Sequence, residues 1–450
     1  MTDARIVSSL VPEPATPLVA EWRTIGDPAS AGRIASAPQC GRKLIVSAVA
    51  LFLTSFLLFL GFIGRSHSYV YDELCYVSSA RALLQHAPNP NFEHPPVGKY
   101  FIALGILAVG DNVYGWRISS AAAGSLSVIA VFLLTYFLLR DRSAAMIAAL
   151  LTIFNNFLFV MSRVAMLDIF LVSLLLWALV LFSVVACADI GRRARTTGLL
   201  FCGVLFGLAC ACKWNAVFSL AAIAAVVFVL WILGRRQWVF RDELLTTSAH
   251  NIASVSLPAL VLGMVLIPAF TYVISYLPLF HSLGTPFTFA GMVRMHQQMF
   301  HFMATRQGNS FLHNPWYHWP IQSTPQRALS YLVGNLVVMW IGLLALIACL
   351  LRMVRRLALP ELTIVLLYAA NLLQWVVIPR KHTYYYYYFP AAMLLSVTIA
   401  IALARLQHKR VFGIRVSLLL VSAAAAFFLF CYPRMASLES PWDCMLGCWS

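Results

Sequence analysis

Apolar residues run along this chain in blocks of about twenty, parted by short polar links, with neither the alternation of a half-exposed strand nor the single stripe of a soluble helix. In hydrocarbon every backbone N–H and C=O must find a partner within its own segment, so each block reads as a membrane-spanning helix. Eleven spans follow, near residues 44–63, 116–139, 143–160, 166–188, 198–212, 214–233, 253–276, 327–350, 361–379, 384–404 and 413–432. The short fifth is parted from the sixth only by "CKWN". Two connections on one side are long, 64–115 and 277–326. In the first, an apolar piece of about 12 residues from Tyr100 is too short to cross and is expected to lie along the membrane surface or re-enter it. Pro95 and Pro96 block helix before it, and Gly98 is expected to free the turn that presents Lys99.

Composition agrees with this pattern. With 61% hydrophobic and 11% charged residues and a mean hydropathy of +0.82, the elements lack a polar face to show water, which excludes a soluble domain. The fold class is all-α, polytopic. Residues 1–43 are rich in Pro, Ala and Ser without a short apolar core, and read as a disordered cytoplasmic tail with no cleaved signal. The spans fill 44–432, and 433–450 form an external tail. The ten cysteines are dispersed and read as small core hydrophobes rather than metal ligands; Cys444 and Cys448 would pair only in an oxidising compartment.

The net charge of +16 points away from nucleic acid once its distribution is considered. With the N-terminus cytoplasmic, 20 of the 32 Lys and Arg fall in inside links and 12 outside, as the positive-inside rule requires. The outside set gathers at helix ends: Arg81, Lys99, Arg117, Arg163, Lys213, Arg380 and Lys381. A single cation there is as readily a headgroup anchor. Together with carboxylates they form an intramembrane functional pattern. Asp72 and Glu73 stand side by side in "YVYDELCYV", in a chain with only 16 acids. In "SRVAMLD", Arg163 and Asp168 stand at the mouth of a span, placed either to pair or to contact substrate directly, whereas Lys213 in "CACKWNAVF" has no acid beside it and needs water or an anion. In "RKHTYYYYYFP", Arg380, Lys381 and His382 precede five tyrosines that read in part as an interfacial belt.

Several cations to neutralise a phosphate, and one carboxylate free to act as general base, suit displacement of a phosphate from a lipid-carried sugar without a metal. One displacement inverts the anomeric centre. A retaining scheme needs a second carboxylate about 5 Å from the first, and adjacent residues point apart. A transporter would show internal repeats with matched broken helices, and the sequence shows none. A membrane scaffold would need neither Lys213 nor the acidic pair.

The stretches "YDELCY", "EHPPVGKYFIALG", "WRISSAAAG", "SRVAMLD", "GLACACKWNAVF", "NPWYHWP" and "YYYYYFP" stand in the order and at about the spacing of the protein O-mannosyltransferase family, which the chain resembles from about residue 44 to its last span. The resemblance implies a GT-C fold of eleven transmembrane helices, an active site on the external face, and a polyprenyl-phosphate hexose as donor, with no cofactor. It implies Asp72 as catalytic base, with Glu73 positioning the acceptor or the Asp. Arg163, Lys213, Arg380, Lys381 and His382 map as donor phosphate ligands and Asp168 as an orienting partner. Glu93 and His94 map as lining of the site, which is taken to include Lys99, Arg117, His313, Trp316 and Trp319. Two departures stand out: 277–326 has no room for the β-trefoil of eukaryotic members, and the element before Trp-Pro reads "FLHNPWYHWP". The compact form fits a bacterial inner-membrane enzyme with its C-terminus periplasmic. The expected acceptor is protein Ser or Thr, the alternative lipid A or an envelope polysaccharide.

Overall fold

The computed structural model describes residues 41–70, 72–305, 314–322, 332–378, 380, 382–404, 410–411 and 414–437. The tail before residue 41, His313, Lys381, Cys444 and Cys448 lie outside them. Ten helices among the described residues are long and apolar enough to cross a membrane: Arg42–Leu60, Val113–Leu139, Leu167–Cys187, Arg192–Cys210, Ala216–Arg235, Leu257–Ser282, Leu336–Arg356, Leu359–Val377, Tyr385–Ala404 and Val416–Ala436. Leu167–Cys187 and Tyr385–Ala404 are the most enclosed, with 78% and 89% of their apolar windows buried, and the others wrap them with Leu, Val and Phe facing outward. Strand among the described residues is confined to Arg410–Val411 paired with Ile414–Arg415.

The sequence predicted an eleventh span at 143–160, and here the structure differs. It is two shorter helices, Arg142–Ile153 and Asn156–Met161, broken at Asn155. Asn155 turns its side chain onto the N–H of Phe157 and starts the second helix, since a short amide competes well for orphan N–H groups. The break frees the carbonyl of Phe154, which Asn335 Nδ2 takes up at 2.8 Å from the head of helix Leu336–Arg356. Irregular backbone within a bundle persists where another segment meets its polar groups in this way. In helix Leu257–Ser282, a π turn at Leu262–Leu266 leads into Pro268, whose missing N–H the ordinary helical ladder could not use.

The first long connection folds as helix Glu73–Leu84 and the apolar helix Val97–Val109. Helix begins at Val97, so Gly98 lies inside the first turn rather than in a loop presenting Lys99. Its missing side chain serves packing: a Cβ there would stand 2.7 Å from Leu167 Cδ2. The described part of the second connection holds helix Phe289–Thr305 and a 3₁₀ turn, Trp316–Ile321.

Candidate active site

Alternating spans bring one end of every helix to the same side of the bundle, and there the polar residues form two layers. The inner layer is a frame. Arg117 grips Glu73 with two parallel bonds, Nε to Oε1 at 2.8 Å and Nη2 to Oε2 at 2.7 Å, and both side chains are fully buried. The N–H groups of Val70 and Ala165 donate to the same carboxylate, and Arg117 reaches on to the carbonyls of Ile63, Ser66 and Ser68. Arg163 binds carbonyls alone, those of Phe59, Gly61 and Ala436, and so ties the first span to the last. Lys99 is buried with its ammonium on the carbonyls of Asn91 and His94, which fixes the turn that carries His94. Burial pulls that ammonium down to about 7, against the pull of Glu93.

The outer layer lines a cavity of about 220 Å³, whose wall includes Glu93, His94, Asp168, Lys213, Trp214, Phe300, Met303, Trp375, Arg380 and Tyr387. Lys213 Nζ lies 2.6 Å from Asp168 Oδ2, both nearly enclosed, and 5.4 and 5.6 Å from the ring centres of Tyr386 and Tyr387. Burying such a pair is costly unless its geometry is good, and the two aromatic faces add cation–π attraction. The turn carrying Lys213 is tied by the N–H of Val97 on the carbonyl of Ala211 at 3.0 Å to the chain just after the Glu93–Pro96 element. Arg380 donates to the Tyr387 hydroxyl and to Met303 Sδ at 3.0 Å, and no carboxylate among the described residues pairs with it. Trp375 stacks flat on Tyr387, rings 4.7 Å apart at 4°.

Asp72 stands beside this cavity at the head of helix Glu73–Leu84 and is only partly buried. Tyr76 and Tyr386 both donate to its Oδ2, at 3.3 and 3.0 Å. Tyr76 is held well above its ordinary range by burial and then by the charge of Asp72, so it stays a donor.

Residues 106–283 match the family model described as dolichyl-phosphate-mannose-protein mannosyltransferase. The polyprenol-phosphate-mannose–protein mannosyltransferase of Mycobacterium tuberculosis is 25% identical over 88% of this chain and 89% of its own. The chain is thus similar to the protein O-mannosyltransferases. The fold agrees: the Saccharomyces cerevisiae Pmt1-Pmt2 complex bound to the sugar donor superposes with a TM-score of 0.73 at 13% identity, over 91% of this chain and 92% of that one. ArnT from Cupriavidus metallidurans bound to undecaprenyl phosphate gives 0.58 at 14%, over 88% and 74%. The chain is thus a glycosyltransferase of GT-C fold and a multi-pass membrane protein.

The fold sorts the residues singled out in the sequence. Glu93, His94, Asp168, Lys213 and Arg380 share the cavity wall, with Asp72 next to it. Glu73, Arg117, Arg163 and Lys99 are drawn into the frame behind. The expected Arg163–Asp168 pair does not form: Asp168 serves Lys213, the cation that in sequence had no acid, because the bend after Cys210 brings position 213 back over the head of Leu167–Cys187. Trp319 is buried one layer behind the wall, edge-on to Trp375 at 5.6 Å. Trp316 and His382 are half-buried and do not line the cavity. Sequence reasoning missed Tyr76, Trp214, Tyr386 and Tyr387; the signal for Trp214 was its place beside Lys213. Four of the five tyrosines are not a belt, for Tyr385 to Tyr388 are all buried, and only Tyr384 is half-buried.

Proposed function

We propose that this chain moves a hexose, mannose in the first instance, from a polyprenyl-phosphate carrier to a protein Ser or Thr hydroxyl at the periplasmic face of a bacterial inner membrane, with Asp72 as general base. The observation that carries this reading is a partly exposed carboxylate, held by two phenols, next to a cavity walled by Arg380 and the Lys213–Asp168 pair. The mycobacterial relative's name, which specifies polyprenol-phosphate-mannose and protein, supports the donor and the acceptor.

In the reaction the acceptor oxygen attacks the anomeric carbon from the face opposite the phosphate, and its proton passes to Asp72. The bond from that carbon to the phosphate oxygen breaks, and its electron pair leaves on the phosphate. Arg380 is the residue best placed to meet that developing charge, since no carboxylate among the described residues neutralises its guanidinium. Lys213 already answers Asp168 and contributes mainly by holding the cavity in shape. The side chains supply these roles by position and charge.

The test is transfer of radiolabelled mannose from polyprenyl-phosphate mannose to a panel of Ser/Thr peptides, lipid A and envelope polysaccharide, comparing wild type with Asp72→Asn. Label on peptide that falls about a hundredfold or more in the variant, the size expected of a general base, supports the reading. Label on lipid A or polysaccharide alone replaces the acceptor, and an undiminished Asp72→Asn removes the base.

A further inference from the structure

We propose that Tyr386, together with Tyr76, is a positioning residue: the two phenols anchor Oδ2 of Asp72 and thereby aim its other oxygen, Oδ1, at the acceptor hydroxyl. The inference rests on the reading of Asp72 as base.

The first support is a bond that Asp72 does not make. It occupies the N-cap of helix Glu73–Leu84, where an Asp ordinarily accepts from the second or third N–H of its helix. Asn112, Asp141, Asn155, Asp242 and Asn335 all do so at the heads of their own helices. Asp72 makes no such bond. Its carboxylate turns instead to Tyr76, one turn along the same helix, and to Tyr386, 314 residues away in sequence.

The second support is that both donors are fixed. Tyr76 and Tyr386 are 1% and 6% exposed. Tyr76 meets the edge of His94 at 5.9 Å, and Tyr386 stacks on Tyr384 at 5.8 Å and 4° with the Lys213 ammonium on its ring. An ionised carboxylate only accepts, so both O–H protons point at one oxygen. No hydrogen bond to Oδ1 is made among the described residues. A carboxylate pinned at one oxygen by rigid rings has one orientation, and the remaining oxygen is the one that faces a substrate. A small misplacement of such a group can cost about a hundredfold in rate.

The third support is the tyrosine run itself. Residues 385–388 form a 3₁₀ turn, in which positions three apart eclipse and those between point elsewhere. Tyr385 and Tyr388 accordingly face the same way, rings 6.2 Å apart, and fill the core against Phe157 and Tyr368. Tyr387 becomes cavity wall, and Tyr386 is delivered to Asp72.

The experiment is a double-mutant cycle on kcat and donor KM with wild type, Asp72→Asn, Tyr386→Phe and the double variant; Phe keeps the ring and removes only the O–H. The expected result is a kcat at least tenfold lower in Tyr386→Phe with donor KM unchanged, and no further loss when the change is added to Asp72→Asn. An unchanged kcat in Tyr386→Phe, or the same factor lost in both backgrounds, overturns the inference while leaving the base in place. Full activity in Asp72→Asn overturns the base and the inference with it. Tyr76→Phe, confined to the turn beside Asp72, carries the same test if Tyr386→Phe does not accumulate, and melting midpoints of all variants separate misfolding from misorientation.

Discussion

Asp72 and Glu73 are neighbours with opposite fates. One step along a helix rotates the side chain by about 100°, so a pair of adjacent acids at a helix head cannot share a role. Glu73 turns inward and has its oxygens taken by Arg117 and two N–H groups, while Asp72 turns to the hydroxyls of Tyr76 and Tyr386. Removing one partner of a buried ion pair leaves the other charge uncompensated, at about 3–5 kcal/mol. Arg117→Met is therefore expected to lower stability by about that amount, read as a fall in thermal unfolding midpoint in detergent or nanodiscs, whereas Asp72→Asn should melt close to wild type and lose activity. A midpoint unchanged in Arg117→Met would show that the frame is not needed to hold the fold. The acidic pair was legible in the sequence as unusual. Which of the two acids was inward was not, because that depends on where Arg117 arrives from 44 residues away.

At the scale of elements, buried amides govern where the helices start and stop. Asn335 illustrates this: Oδ1 caps its own helix at Val337 and Val338, and Nδ2 serves the carbonyls of Phe154 and Ala424 on two other spans. Asn335→Leu loses the cap and orphans two carbonyls, so stability should fall by about 2–4 kcal/mol, with greater protease sensitivity around the break at 154–155. An unaltered melting midpoint would mean the break needs no such support. Hydropathy finds apolar blocks but is blind to a break satisfied from another span, which is why the third span reads as continuous in sequence. The belt reading fails for Tyr385 to Tyr388 for a related reason. Aromatic residues at a span end match a belt in sequence, and only the 3₁₀ turn with its neighbours shows that all four point into protein.

For the molecule as a whole, the cavity is a meeting of distant pieces: His94 from the first long connection, Lys213 from a bend between two spans, Met303 from the second connection, and Arg380 from the entry to Tyr385–Ala404. Arg380 is the cation there that no described carboxylate answers. Arg380→Gln should lower kcat by about a hundredfold, the scale of losing one preorganised donor to developing negative charge, with melting little changed. A wild-type rate in that variant would move the phosphate's partner elsewhere on the wall.

The sequence by itself determined the class of molecule. Spans of about twenty apolar residues allow only helices in a bilayer. The excess of Lys and Arg in alternate links gave the expected sidedness, and "YDELCY", "EHPP", "CKWN" and the tyrosine run marked which connections carry chemistry. Only the tertiary structure decided what each charge does. Hydropathy and charge count add along a chain, residue by residue, whereas a buried charge takes its role from whichever partner the fold brings within about 3 Å. For Lys213 that partner is Asp168, for Arg163 three carbonyls, and for Asp72 two tyrosines.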